Sequence, residues 1–334
     1  MRAMVLVQQK PVEENPLEPR EISQPTPGPG EIRVLVRTCG VCHTDLHIVE
    51  GDLPLKRAPV VPGHQIVGVV DGTGAGVRNF HEGDRVGIPW LYSTCGECAY
   101  CLKGFENLCE NARFTGYHVD GGYAETVVVS ELSAYRLPDA FSDMEAAPLL
   151  CAGVVGYRAL RLSNVAPGER LGMYGFGASA HVILQVARHM GCEVYVFTRA
   201  ESHRELAKKL GAAWVGGAKD QAPGLLDSAI MFAPAGSLVL DALRALRKGG
   251  TVALAGIHMT PIPEIDYDTL LYHERTVRSV ANSTRQDVRD FLRVAAEVPL
   301  RTEVECFRLE DANRALQAMK HSKLHAAGVL KVSA

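Results

Sequence analysis

The chain has 334 residues, 47% of them hydrophobic and 22% charged, with a formal net charge of −3. Domains hold roughly 100 to 200 residues, so two cores are expected, and the balanced charge gives no reason to expect nucleic acid or an anionic membrane as a partner. No apolar run approaches the roughly 20 residues that span a bilayer, and the opening MRAMVLVQQKPVEENP lacks the apolar segment of an export signal, so a cytoplasmic location is expected.

In chain order, residues 31–129 carry short β-branched runs broken by glycine and proline, such as EIRVLVRT, QIVGVVDG, DRVGIP and YAETVVVS. That pattern predicts an irregular antiparallel β domain. FSDMEAAPLLCAGVVGYRALRL then predicts buried helix, with Ser142 as its N-cap. From Arg170 strands and helices alternate: ERLGMYGF, GASAHVILQVARHMG, CEVYVFTR and SHRELAKKLGA, followed by the strands LDSAIMFA, GTVALAGI and TVRSVA around a helix GSLVLDALRALRKGG. Such alternation predicts a doubly wound parallel sheet. A helix over residues 284–297, with Thr284 and Asp287 spaced as a capping pair, precedes a strand, the helix DANRALQAMKHS and the strand AGVLKV. That last stretch is expected to return to the first domain.

Gly175, Gly177 and Ala180 fill the three positions of G-x-G-x-x-G/A between a strand and an amphipathic helix. The first allows a tight turn, the second lets backbone approach a pyrophosphate, and the small third residue permits close helix packing. The turn Gly175-Phe176-Gly177-Ala178 is therefore the candidate dinucleotide site, at a helix N-terminus suited to negative charge. The next strand ends in Phe197, Thr198 and Arg199, without the acid that holds the ribose of NAD. A guanidinium there suits a 2′-phosphate, which tilts the cofactor toward NADP, although Arg199 as a solvated residue or stacked on the adenine leaves NAD open.

Nine cysteines, an odd number, do not make a secreted disulfide framework, and six of them cluster in two groups. Cys95, Cys98, Cys101 and Cys109 lie in one glycine-containing loop. Four thiolates close the tetrahedral shell of a structural zinc; an iron–sulfur cluster is the competing occupant. The second group, Cys39 and Cys42, stands in CGVCHTDLH, and the dispersed PGHQIVG and APLLCAG supply His64 and Cys151.

Together with the glycine turn, these segments resemble the medium-chain zinc alcohol dehydrogenases over nearly the whole chain; PGPGEIRVLV, EGDRVGIPW and the four-cysteine lobe occur in that family's order. The resemblance implies a GroES-like catalytic domain over 1–149, completed by 298–334, and a Rossmann domain over 150–297. It further implies a catalytic zinc on Cys42, His64 and Cys151, hence two zinc ions per chain, with Cys39 a bystander. The implied reaction is reversible hydride transfer between a primary or secondary alcohol and NAD(P), through a zinc-bound alkoxide. Thr44 would donate to the substrate oxygen, His47 carry the proton outward and Asp45 orient His64. The partners implied are a small alcohol or aldehyde and further copies of the chain, as a homodimer or homotetramer joined through the edges of the nucleotide-binding sheets. Trp90 matches a substrate-pocket position, with packing in the domain core as the alternative.

Two departures stand out. Gln65 occupies the place of the family's usual glutamate, and HAAGVLKV lacks the Gly-Arg often found near the C-terminus. Among relatives, polyol dehydrogenases tend to carry glutamate where Cys151 stands, and zinc-free quinone reductases lack the cysteine ligands; both fit these residues less well. A non-catalytic scaffold should have lost one of the three ligands, and all three are present.

Overall fold

A computed structural model describes residues 1–324 and 326–333. It divides into two compact units, one of Met1–Cys151, Thr284–Ala296 and Thr302–Ala334, the other of Ala152–Ser283 with Glu297–Arg301. His325, which begins the HAAGVLKV segment, lies outside the described residues.

The first unit is built on a seven-stranded sheet. Its order is Val304–Arg308, Ala327–Lys331, Glu31–Val41, Ile66–Thr73, Arg85–Ile88 and Tyr135–Arg136, with Thr126–Ser130 also paired to Glu31–Val41. All pairings are antiparallel except that between the first two strands. Glu31–Val41 shows why the sheet forms. Ile32, Val34 and Val36 are fully buried and alternate with half-buried partners, the period-two pattern of a strand with one face on a core. The two C-terminal strands, Val304–Arg308 and Ala327–Lys331, pair with each other, and the second pairs with Glu31–Val41.

The second unit holds a six-stranded parallel sheet in the order Trp214–Gly216, Glu193–Phe197, Arg170–Tyr174, Leu226–Met231, Leu246–Leu254 and Thr276–Ser279. Met173, Val196, Ile230 and Val252 are fully buried, as strands covered on both faces require. The order reverses between Arg170–Tyr174 and Leu226–Met231, the point at which doubly wound sheets take ligands beyond the carboxyl ends of their strands.

Three elements differ from their sequence reading. The expected helix at residues 142–162 is broken into a short helix Asp143–Ala146, a 3-10 turn Ala147–Leu150 carrying Pro148, and a helix Ala152–Leu162. Cys151 sits at the break with φ −134° and ψ −66°, outside helical geometry. The helix drawn through Gly250 ends at Ala245, where Leu246 already enters the next strand. Most of the helix Arg285–Glu297, assigned from sequence to the nucleotide domain, belongs to the first unit. The Arg285 amide donates to Glu106 at 2.8 Å and its guanidinium to Thr94 at 3.1 Å, ties that no local periodicity reveals.

Both expected caps are present. Ser142 and Glu145 form a reciprocal capping box, while the Thr284 amide and hydroxyl donate to Asp287 at 2.9 and 2.8 Å, and the Asp287 amide returns a bond to the Thr284 hydroxyl. Replacing Thr284 with alanine should destabilise the protein by about 1–2 kcal/mol, read as a lowered urea midpoint with an unchanged m-value.

Candidate active site

The strand Glu31–Val41 runs directly into the helix His43–Glu50, and Cys42 at the junction is extended, with φ −129° and ψ 155°. Three residues on, Asp45 turns back into the protein, completely buried. Its Oδ2 accepts the Cys42 amide at 3.0 Å and the Tyr123 hydroxyl at 3.3 Å; its Oδ1 accepts His64 Nδ1 at 2.9 Å and the Gly63 amide at 3.2 Å. Gly63 has φ +99°, and a side chain there would meet the Tyr123 ring and the Cys39 sulfur. Only glycine therefore lets the chain deliver His64 to the carboxylate.

With Nδ1 committed to Asp45, the His64 ring offers Nε2, which is buried and has no hydrogen-bond partner in the protein. Cys42 and Cys151 face it, their sulfurs 3.7 Å apart, and all three candidate ligand atoms lie within 4.8 Å of one another. An orphaned imidazole nitrogen beside two sulfurs fits a soft divalent ion such as zinc. The hydrogen bond from Cys151 pushes the Cys42 thiol well below its ordinary range. Burial alone would lower the His64 pKa, but Asp45 and Cys42 outweigh it and raise it to about 10.

The neighbouring residues fall into place around that triad. The Thr44 hydroxyl is 3.7 Å from the Cys42 sulfur. His47, one turn further along the same helix, bonds through Nδ1 to Asp52 at 2.7 Å. Trp90 is almost fully buried, meets the His64 ring edge-on at 4.8 Å, and stacks on Phe114 and Tyr117 at 5.0 and 5.8 Å. Cys39 stands outside the three-ligand group, and burial raises its thiol well above its usual range. Gln65 is buried against Gly40, bringing a neutral amide where a carboxylate would add charge.

The four-cysteine loop gathers its sulfurs separately. Cys95, Cys98, Cys101 and Cys109 present ligand atoms within 4.8 Å of one another, and the Cys98 and Cys95 amides donate to the sulfurs of Cys95 and Cys109 at 3.4 and 3.5 Å. Backbone amides lower the Cys95 pKa to about 7, which favours the thiolate that a metal needs. No further group of this kind occurs among the described residues.

In the second unit, Gly175 has φ +90°, and an added Cβ would crowd the Ala233 amide at 2.8 Å. Gly177 precedes the helix Ala178–His189, and a Cβ there would meet no atom within 4 Å, so its face is open to a ligand. Ala180 is fully buried, as close helix packing demands. Phe176 is buried; Thr198 is buried with its amide on Gly216, while Arg199 is exposed. The donor-lined turn and the open face fit a dinucleotide pyrophosphate.

A family model described as alcohol dehydrogenase GroES-like domain matches residues 28–139, and one described as zinc-binding dehydrogenase matches residues 180–297. The chain is 48% identical over 327 residues to a probable alcohol dehydrogenase of Mycobacterium tuberculosis, covering 96% of this chain and 94% of that one. It belongs to the zinc-binding alcohol dehydrogenase family. An alcohol dehydrogenase of Geobacillus stearothermophilus is 40% identical, with 99% of this chain and all of that one covered. Among solved structures, a cinnamyl alcohol dehydrogenase of Sorghum bicolor superposes with a TM-score of 0.90 at 28% identity, over 99% of this chain and 97% of that one.

Two residues that shape the site of this family member escaped the sequence reading. Tyr123, 78 positions from Asp45, carries no local signal. Asp52 follows Gly51, the left-handed residue closing the helix, and a glycine cap could have marked the chain as turning back there. Replacing Asp45 with alanine would strand His64, the Tyr123 hydroxyl and the Cys42 and Gly63 amides, and should destabilise the protein by roughly 3–5 kcal/mol in chemical denaturation.

Proposed function

We propose that the chain carries two zinc ions and oxidises a primary or secondary alcohol, or reduces the matching carbonyl, at the one held by Cys42, His64 and Cys151. The observation that carries this reading is the buried, unpartnered His64 Nε2 facing two sulfurs. Three protein ligands leave a tetrahedral ion one position for a substrate oxygen, whereas the Cys95, Cys98, Cys101 and Cys109 set would close its ion completely and serve folding. When bound, the catalytic zinc supplies Lewis acidity that brings the alcohol proton into the neutral range.

The chain's own side chains do the rest. Asp45 keeps His64 in the tautomer that presents Nε2. Thr44 hydrogen-bonds the substrate oxygen, donating its hydroxyl to that oxygen once the alcohol proton has left, and His47 moves the proton outward. A nicotinamide dinucleotide would accept the carbon-bound hydrogen as hydride, and its pyrophosphate would sit at the Gly175–Ala178 turn and the N-terminus of the helix Ala178–His189. Trp90 supplies an apolar wall beside His64, which favours an apolar substrate.

The preferred cofactor is NADP. Phe197 is followed by Thr198 and Arg199 rather than directly by an acid, and the exposed Arg199 offers a guanidinium to a 2′-phosphate. Nine free cysteines support a reducing, cytoplasmic setting, and among the described residues no helix is long and apolar enough to cross a membrane. Copies of the chain pair through Thr276–Ser279, the exposed edge strand of the parallel sheet, into a homodimer or homotetramer.

An alcohol panel assayed with NAD and NADP separately, read by nicotinamide absorbance, tests the reaction. Zinc-loaded protein inert toward every alcohol and aldehyde would refute it. Cys151→Ser should abolish turnover and lower the metal content from two zinc ions per chain to one; unchanged turnover would refute the ligand set. Arg199→Asp should move the kcat/KM preference toward NAD by about tenfold or more.

A further inference from the structure

Away from both cysteine sites and the glycine turn, the first unit has a cavity of about 630 Å³ at one edge of its seven-stranded sheet. The edge strand Tyr135–Arg136, the 3-10 turn Glu131–Ser133 before it and the helix Arg285–Glu297 all contribute to its lining. Phe80, Leu137 and Leu292 make part of that lining apolar. Hollows of roughly 300–1,000 Å³ with an apolar lining and a few polar groups are what small ligands fill.

The charge of the lining is mainly positive, with Arg136, Arg289 and Arg293 set against one acid, Glu131. Glu131 is occupied, since one of its oxygens accepts the Arg78 and Asn79 amides and the Asn79 side-chain amide at 3.1, 2.9 and 2.9 Å. Arg136 is held by both oxygens of Asp84, each at 2.9 Å, and stands over the Phe80 ring at 5.4 Å. Arg293 lies 3.8 Å from Asp290, with its side chain 72% exposed. Arg289 is different. Its Nε and Nη2 donate to the neutral oxygen of Gln286 at 3.3 and 3.0 Å, and among the described residues no carboxylate pairs with it. Beside it, Tyr135 is only 8% exposed, yet its hydroxyl finds no hydrogen-bond partner among the described residues. Burial pushes that phenol up to about 12 and Glu106 adds to the rise, outweighing the pull of Arg285 and Arg289, so near neutral pH it remains a donor.

We propose that this cavity binds a small organic carboxylate with an apolar body, the carboxylate held by the Arg289 guanidinium and the Tyr135 hydroxyl and the body laid on Phe80, Leu137 and Leu292. A guanidinium presents paired N–H donors that match the two oxygens of a carboxylate, and the phenol adds a third donor. Both groups are left open by the protein itself. A bare inorganic anion would leave the apolar lining wet, and a neutral hydrocarbon would leave both donors unused.

The test follows a fluorinated phenylbutyrate by fluorine NMR as the zinc-loaded full-length protein is added. Saturable binding with a Kd below about 1 mM is expected, weakened about tenfold or more by Arg289→Gln and about threefold or more by Tyr135→Phe, with the urea midpoint unchanged in both. The neutral amide of the same probe should bind about tenfold more weakly, and inorganic phosphate at equal concentration should displace little of it. Cys151→Ser should leave binding intact, as should Arg314→Gln, whose guanidinium lies over Phe307 and does not line the cavity. Absence of saturable binding, full binding by both cavity variants, loss of binding in Cys151→Ser, or equal displacement by phosphate would overturn the site. So would an oligomer that dissociates on Arg289→Gln, because a second copy of the chain would then cover this face.

Discussion

The carboxylate of Asp45 lies completely out of solvent and accepts hydrogen bonds from His64, Gly63, Cys42 and Tyr123. An ionised carboxylate has about four acceptor sites, and here each finds a donor. A buried charge is tolerable only when it is satisfied in this way, and this one is spent on joining two distant pieces of chain. Cys42 comes from the end of a sheet strand, and His64 from the loop before another. Asp45 also stands in the first turn of its helix, where the helix dipole favours negative charge.

Everything that defines the metal centre follows from that junction. The bond to Nδ1 leaves Nε2 facing the sulfurs, so one carboxylate orients the three candidate ligands toward one another. Cys151 completes it from a break between two helical stretches, a geometry that a continuous helix would not allow. The four-cysteine loop is organised differently, by backbone amides donating to its own sulfurs within a short span of chain. One site depends on the fold, and the other is nearly local.

That contrast explains what could be read from the sequence. The four-cysteine set is visible as spacing because its residues are close in the chain, and the Gly175–Ala180 turn is visible because strand, turn and helix are consecutive. Ser142 and Thr284 declare their helix starts for the same reason. By contrast, Cys42, His64 and Cys151 are a set only through resemblance to a family pattern, since no local rule links positions so far apart. The break at Cys151 and the placement of the helix Arg285–Glu297 depend on tertiary partners such as Glu106 and Thr94, so helical periodicity alone misassigns them. The contact between His47 and Asp52 lies between these cases, because its cause, a glycine cap, is local while its consequence appears only in three dimensions.

The central claim is that Asp45 prearranges Cys42, His64 and Cys151 to receive a catalytic zinc distinct from the ion in the four-cysteine loop. Anomalous diffraction at the zinc edge from crystals of the active, zinc-loaded protein tests it most directly. The account predicts two peaks, one within bonding distance of the Cys42 and Cys151 sulfurs and His64 Nε2, the other among Cys95, Cys98, Cys101 and Cys109. A protein that oxidises alcohol while showing no peak at His64 Nε2 would contradict it.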